Sequence, residues 1–234
     1  VYCDDFSVRN VDCDFVDAEV LSFLCSSDGP RTRHGGYPEM ITPPSADLDN
    51  VCVELDEALK ILKSVDPELF GEFTTMVSQF RSFAGRSARG MTSVRCFGRV
   101  YLRRPDPGSE SDDSVLYYLD HLTHETSHLT LHCLMTQDPL VLNDNSELYI
   151  DPIRQYLRQL FGIYHATFVL SRIVRVISRG NAIHGKWSSS VEDSVKKFES
   201  GYITIIKNAR LTKNGEKVME DCRRIVESSM AKAS

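Results

Sequence analysis

Apolar residues recur at helical spacing along most of this chain, which predicts a series of amphipathic helices. The predicted helices cover residues 11–25, 51 to about 64, 68–83, 115 to about 136, 157–179, 190–208 and 214–230. Asp49 or Asn50 is expected to cap the second helix, and Pro67 is expected to begin the third. The tract from Gly180 to Gly185 is expected to end the fifth helix.

The apolar period changes between residues 90 and 102. This segment is rich in β-branched and aromatic residues, so it predicts one or two strands. Residues 31–49, 105–114 and 143–154 are expected to be connections, because glycine, proline and acidic residues interrupt the helical pattern there. The predicted fold is therefore α+β and mostly helical, with a short antiparallel sheet, in a single domain over residues 1–234.

Net charge, apolar runs and cysteine spacing limit the kinds of molecule that this protein is expected to bind and the compartment in which it is expected to occur. The net charge of −6 gives no reason to expect nucleic acid. No apolar run approaches the roughly 20 residues that cross a bilayer, so no membrane is expected. The seven cysteines are scattered and form no CxxC pair, which is typical of reduced thiols in a cytoplasmic protein. The oligomeric state is not predicted.

The sequence HETSH in the fourth predicted helix indicates a metal site. His124 and His128 are spaced i, i+4, about 6 Å apart along the helix axis, so both imidazoles can bind one ion. Glu125 is rotated by about 100° from His124 and is expected to lie beside the metal as an acid or base. His121 and His132 lie on the same face, and we expect them to be supporting or surface groups because each lies about a turn from the pair.

A third protein ligand is needed, and His165 is the best candidate. It lies in an apolar helix that must be buried, and a buried histidine must form a hydrogen bond or coordinate something. Gly162, one turn earlier, is expected to let two helices approach closely. A core histidine bonded to a carbonyl is the alternative, and Glu147 and Asp151 compete for the third position.

Positive charge is concentrated after this point. Between Asp151 and Glu192 the chain has no acidic residue, and its cationic residues are Arg154, Arg158, Arg172, Arg175, Arg179 and Lys186. Arginine forks bind carboxylates through two hydrogen bonds, so this tract suits a small dianionic ligand.

The tract YIDPIRQYLRQLFGIYH, residues 149–165, resembles the pattern Y-x-x-P-x-R-x-x-x-R-x-x-x-G-x-x-H. This pattern follows HExxH in the 2-oxoglutarate-dependent HExxH-type peptide β-hydroxylases, which act in the biosynthesis of ribosomally made, modified peptides. It is also similar to the HExxH domain attached to some radical enzymes of peptide modification. The resemblance covers about residues 90–180, and Gln159 departs from it where the family has proline.

The resemblance implies an oxidoreductase that uses iron(II), 2-oxoglutarate and dioxygen to hydroxylate a side-chain Cβ of a precursor peptide. His124, His128 and His165 would be the iron ligands, with Glu125 as a supporting group. The 2-oxoglutarate carboxylates would be bound by Arg154 and Arg158, together with Tyr149. Arg172 and His121 are further candidates for the site.

Ligand chemistry alone leaves other functions open. Three histidines beside a glutamate are also typical of catalytic zinc, with Glu125 as the general base of a peptidase. However, Leu131 and Leu134 stand where the extended HExxHxxGxxH motif has glycine and histidine. A structural metal in a binding module is the third interpretation.

Overall fold

The structure, a computed structural model, describes residues 45–83, 89–105 and 113–231, so the helix predicted over residues 11–25 lies outside them. The predicted fold class, α+β and mostly helical, is confirmed. By internal packing the chain divides into two compact units, Val1–Leu129 and Thr130–Ser234, and we describe each by itself. The single domain over residues 1–234 stays a prediction.

Two helices open the described part of the first unit: α1, Ser45–Val65, and α2, Pro67–Met76. The side chain of Asp66 caps α2 by accepting the Leu69 N–H at 3.1 Å, and Pro67 begins the helix as predicted. α1 begins earlier than residue 51, so the end of the loop predicted over residues 31–49 is wrong. The aspartates of this segment suit a helix N-terminus, since their charge complements the helix dipole.

α2 is shorter than the helix predicted over residues 68–83. It ends at Met76, Val77 is extended, and Gln79–Phe83 forms strand β1. β1 pairs along its whole length with strand β3, Arg99–Arg103. This pairing outweighs the local helical period, which is a weak guide when tertiary partners compete.

The strands of the first unit form a small mixed sheet. The segment predicted over residues 90–102 contains two strands, as expected: β2, Gly90–Met91, and β3, with a 3-10 turn at Val94–Cys96 between them. The strand order is β1-β3-β2, in which β3 is parallel to β1 and antiparallel to β2. The antiparallel pairing expected within residues 90–102 is confirmed for β2 and β3, and the parallel pairing of β1, which was not predicted as a strand, makes the sheet mixed.

Helix α3, Ser114–Met135, confirms the helix predicted over residues 115–136. Its N-terminus is capped by the side chain of Asp113, which accepts the Leu116 N–H at 3.0 Å. The apolar side chains of Tyr118, Leu119 and Leu122 are fully buried. This packing fixes the rotation of α3, and with it the direction of its histidine-bearing face.

The second unit contains a short hairpin that the sequence did not predict. Strand β4, Leu148–Ile150, lies in the expected connection, and strand β5, Leu157–Gln159, replaces the first residues of the helix predicted from residue 157. The two strands are antiparallel, with Tyr149 opposite Arg158. Strands of three residues are too short to show a clear alternation of polar and apolar positions.

Three helices complete the second unit: α4, Leu160–His184; α5, Ser188–Asn208; and α6, Lys213–Ala231. α4 is the core helix and packs against the other two. The tract from Gly180 to Gly185 ends α4 as predicted, but the helix continues past Gly180 to His184 and ends at Gly185, which has a φ of 70°. Gly180 is needed inside the helix, because a Cβ there would lie 2.3 Å from the ring of Trp187.

The apolar character of α4 also corrects the expectation that no segment could cross a bilayer. By length and composition alone this helix qualifies, although 78% of its apolar window is buried inside the structure. A core helix of a soluble protein passes the same test, so this is weak evidence for a membrane.

Candidate metal centre

His124 and His128 lie one turn apart on α3, as the sequence predicts. Both are half-buried, their ring centres are 4.8 Å apart, and the ring planes are inclined by 71°. Imidazoles that bind one ion at about 2.1 Å hold their ring centres roughly 4.5–5 Å apart. The two rings are therefore close enough for both to reach one metal ion.

Glu125, between these histidines, turns its carboxyl group towards strand β2 in the first unit. The Thr92 hydroxyl donates to Oε2 at 2.9 Å, and a Cβ on Gly90 would lie 2.6 Å from Oε1. Only 4% of Glu125 is exposed. Burial raises the pKa of Glu125 to about 8, although the Thr92 hydrogen bond opposes this shift. Glu125 is thus held between Gly90 of β2, which lies near Oε1, and Thr92, which follows this strand and binds Oε2.

His121 is held by the helix turn that precedes it. Its Nδ1 lies 2.7 Å from the Tyr117 carbonyl oxygen, and its ring stacks on Tyr117 with centroids 4.1 Å apart. A carbonyl only accepts, so Nδ1 carries the proton and Nε2 is the acceptor of the neutral ring. Burial lowers the pKa of His121 and so favours this neutral form.

His165 lies on α4 in the second unit and is buried, as the sequence predicts. Its ring packs against Phe161, with centroids 4.5 Å apart, and against His132, with centroids 5.4 Å apart. His132 was expected to be a supporting or surface group, and the structure makes it the neighbour of His165. Spacing within α3 could not reveal this contact, because it depends on how the second unit packs.

The two carboxylates that competed for the third ligand position are engaged elsewhere. Asp151 is fully buried. Its carboxylate accepts hydrogen bonds from the backbone N–H groups of Ile153 and Arg154, and it forms an ion pair with Arg158 at 3.1 Å. Glu147 accepts hydrogen bonds from Tyr149, Asn143 and Arg210. Both carboxylates are therefore held by hydrogen bonds and ion pairs within the second unit.

The residues predicted to bind 2-oxoglutarate gather on the β4–β5 hairpin. Tyr149 and Arg158 are opposite each other in its register, and Arg154 lies exposed in the turn between the strands. The guanidinium of Arg158 also covers Gly162, where a Cβ would lie 2.3 Å from Nε. The absence of a side chain at Gly162 therefore makes room for the guanidinium of Arg158. The expectation that Gly162 lets two helices approach closely is wrong, since Arg158 occupies this space.

Gln159, where the resembled pattern has proline, precedes the first turn of α4. Its φ of −59° is the value that proline fixes, and its ψ of 143° is extended. These backbone angles are therefore ones that proline can also adopt.

Arg172 is a buried cation on α4. Only 5% of it is exposed, and its guanidinium lies 5.5 Å from the ring centroid of Phe168. Its charge also acts on Cys222 of α6, whose pKa is raised to about 12 because burial outweighs the effect of the arginine. This position is consistent with a packing role inside the helical unit.

Within residues 45–83, 89–105 and 113–231, no group of three or more His, Cys, Asp or Glu side chains is arranged to hold a metal ion. The described cysteines, Cys52, Cys96, Cys133 and Cys222, form no disulfide among the described residues. What the structure supplies is one imidazole pair in each unit: His124 with His128, and His132 with His165. Comparison with protein-family models and with curated proteins finds no match to the chain.

Proposed function

We propose that the protein is an iron(II)- and 2-oxoglutarate-dependent oxygenase that hydroxylates a side-chain Cβ of a ribosomally made peptide. The observation that carries the proposal is the His124–His128 pair, whose rings are 4.8 Å apart on one helix face. The resemblance of residues 149–165 to the peptide β-hydroxylases supports the choice of iron and of the cosubstrate. The proposal requires α3 and α4 to pack so that His165 completes the ligand set.

The roles of the residues follow from their chemistry. His124, His128 and His165 would bind iron(II), and three imidazoles on one side of an octahedral ion leave three positions open. Arg158, Arg154 and Tyr149 would bind the carboxylates of 2-oxoglutarate; Arg158 has five N–H donors, and its ion pair with Asp151 leaves others available. When bound, iron(II) and the oxo acid supply the oxidation, in which dioxygen gives one atom to the substrate C–H bond and one to succinate as CO2 is released.

The position of Glu125 favours a role in holding the histidine-bearing helix turn rather than the role of a peptidase base. A general base must lie within hydrogen-bond reach of the water that it deprotonates. Glu125 is buried, and both of its oxygens face Gly90 and Thr92 on the β2 side. A carboxyl group held in this way stiffens the helix turn that carries His124 and His128.

The sheet of the first unit supports a peptide as the substrate. Because β3 is the central strand of the described sheet, β2 lies at an edge. An extended peptide can add to such an edge through backbone hydrogen bonds. A peptide paired with β2 would lie beside Gly90 and Thr92, which contact Glu125 between the two histidines.

The test is turnover by the full chain loaded with iron(II), supplied with 2-oxoglutarate, air and a library of unstructured peptides. We expect succinate release and a peptide mass gain of one oxygen atom. His124→Gln and His128→Gln should each lower iron affinity and succinate release by at least about a hundredfold, and His165→Gln should do the same. His184→Gln is the matched control, since His184 is an exposed histidine at the end of α4.

Two results would overturn the proposal. Absence of succinate with every peptide, under air and with bound iron, would exclude the oxygenase. Hydrolysis of the same peptides by zinc-loaded protein without oxygen would establish the competing peptidase instead.

A further inference from the structure

Asp151 follows strand β4 and is a fully buried carboxylate of the second unit. A carboxylate loses its hydration when it is buried, so the fold must supply hydrogen bonds or a cation to stabilise it. The two oxygens of Asp151 have different partners: Oδ1 accepts from backbone N–H groups, and Oδ2 pairs with a guanidinium. Asp151 therefore acts on two parts of the hairpin at once.

The Oδ1 atom of Asp151 shapes the turn between β4 and β5. It accepts the N–H of Ile153 at 2.8 Å and the N–H of Arg154 at 3.0 Å. The Asp151 carbonyl oxygen closes the same turn by accepting the Gln155 N–H at 2.8 Å. Gln155 has a φ of 59°, a left-handed conformation that residues other than glycine seldom adopt. Asp151 thus fixes the backbone that carries Arg154.

The Oδ2 atom of Asp151 holds the guanidinium of Arg158. Nη1 lies 3.1 Å from Oδ2, and 26% of the Arg158 side chain is exposed. Gly162 provides a second contact, because a Cβ there would lie 2.3 Å from Nε and 2.8 Å from Cζ. The ion pair uses one of the five N–H groups of the guanidinium, so others remain for a ligand.

A guanidinium that is already held in place binds a carboxylate more tightly than a mobile one. An arginine side chain has several rotatable bonds, and ordering them opposes binding. The ion pair with Asp151 and the contact with Gly162 order Arg158 before a ligand arrives. Residues 148–159 carry two arginines and one aspartate, so the hairpin keeps one excess positive charge that attracts an anion.

We propose that Asp151 is a positioning residue for carboxylate binding: it presents the guanidinium of Arg158 and fixes the turn that carries Arg154. The inference rests on the proposed function, because it takes 2-oxoglutarate as the ligand of these arginines. Asp151 itself contacts neither the ligand nor the metal, and it acts through the two arginines.

The test measures the equilibrium binding of isotope-labelled 2-oxoglutarate to the full chain loaded with iron(II), without oxygen, by dialysis. Asp151→Asn keeps an oxygen for the two backbone N–H groups but removes the charge that pairs with Arg158. We expect the Kd for 2-oxoglutarate to rise by at least about tenfold. The Kd for iron(II), measured on the same variant, should change by less than about twofold, since the substitution leaves the histidines in place.

Gly162→Ala tests the same guanidinium without changing Asp151. Alanine is the better helix former, so a loss of affinity would not come from a weaker helix. Its Cβ must displace Arg158, and we expect the same rise in the Kd for 2-oxoglutarate. This variant decides the matter if Asp151→Asn fails to fold. Asp144→Asn is the matched control, because Asp144 also accepts a backbone N–H, that of Ser146 at 2.8 Å, but lies outside the hairpin.

The order of the guanidinium is measured separately, by the heteronuclear NOE of the Arg158 Nε–Hε NMR signal, which is assigned with Arg158→Lys. In the unchanged protein the NOE should be close to that of backbone amides in α4. In Asp151→Asn it should fall to the value of an exposed arginine such as Arg223. A purely structural role of Asp151 in the turn would leave this signal unaltered.

An unchanged Kd for 2-oxoglutarate in both Asp151→Asn and Gly162→Ala would refute the inference, and so would an Arg158 NOE that does not respond to Asp151→Asn. A loss of iron affinity as large as the loss of 2-oxoglutarate affinity would refute it too, because Asp151 would then support the whole site. The failure of the proposed function is a different result. If the unchanged protein binds no 2-oxoglutarate, the oxygenase is refuted, whereas binding that both variants leave unaltered refutes only the positioning role.

Discussion

Glu125 and Glu147 are two glutamates whose surroundings shift their pKa values in opposite directions. Glu125 is buried and receives one hydrogen bond within the described residues, from Thr92, and burial raises its pKa to about 8. Glu147 is partly exposed and accepts from Tyr149, Arg210 and Asn143, and these hydrogen bonds lower its pKa to about 2. The difference shows that two opposing effects decide whether the fold favours the protonated or the ionised carboxyl group: hydrogen bonds from donors favour the ionised form, and loss of hydration favours the protonated form.

The two environments also suggest different uses. Glu147 joins the segment before the hairpin to Arg210, in the connection between α5 and α6, so its partners serve the structure of the second unit. Glu125 lies between two half-buried histidines and is held by a strand rather than by a cation. A buried carboxyl group with a strongly shifted pKa beside potential metal ligands is typical of functional sites.

The largest loss of stability is expected when a side-chain atom is added at Gly90, in the space beside Glu125. Gly90→Ala places a Cβ within 2.6 Å of Glu125 Oε1 and 2.8 Å of a Leu102 methyl group. We expect the free energy of unfolding to fall by about 2–3 kcal/mol, because an overpacked core must shift. Urea denaturation measures the loss.

The matched control is Gly71→Ala in α2, where nothing lies within 4 Å of the new Cβ. It should stabilise the protein by about 0.5–1 kcal/mol, since alanine is the better helix former. If Gly90→Ala behaves in the same way, Glu125 is not packed against β2.

A smaller effect is expected from removing the donor to Glu125. Thr92→Val keeps the shape of the side chain but leaves the buried carboxyl group without its hydroxyl partner. The expected loss of stability is about 1–2 kcal/mol. Thr74→Val, which removes an exposed hydroxyl bonded to a helix carbonyl, should change stability by less than about 0.5 kcal/mol under the same denaturation. Equal effects of the two substitutions would contradict the role of Thr92.

The smallest effect is expected at Glu147 and depends on pH. Its folded pKa of about 2 lies below the usual value of about 4.3, so its carboxylate stabilises the fold above pH 4.3, and this contribution is lost as pH falls through about 2. Glu147→Gln should therefore differ in stability from the unchanged protein above about pH 5, and the difference should vanish near pH 2. Denaturation across this range measures it, with Glu227→Gln, in an exposed helix pair, as the control that shows little change. A difference that grows towards low pH would refute this account.

The elements that could be predicted from the sequence are those whose apolar pattern repeats over many residues and whose stabilising contacts are local. The bounds of α3, and so the placing of His124 and His128 one turn apart, follow from helical spacing alone. The partners of Glu125 do not, because Thr92 lies 33 residues earlier in the chain and nothing in the sequence indicates which strand faces the helix. The same holds for the contact of His132 with His165, which joins two helices.

The errors have comparable causes. β1 carries residues that also fit a helical period, and only its pairing with β3 decides its conformation. Gly180 resembles a helix end until the ring of Trp187 is seen to occupy the space of its missing side chain. Gly162 is expected to face a second helix, but the guanidinium of Arg158 occupies the space beside it, and the sequence alone does not show which group fills that space.

The contact between Arg158 and Gly162 has a mechanical consequence. The same guanidinium also pairs with the buried carboxylate of Asp151. The side chain of Arg158 therefore contacts both the hairpin and the first turn of α4. Any displacement of the hairpin is thereby transmitted to the helix turn that leads into His165.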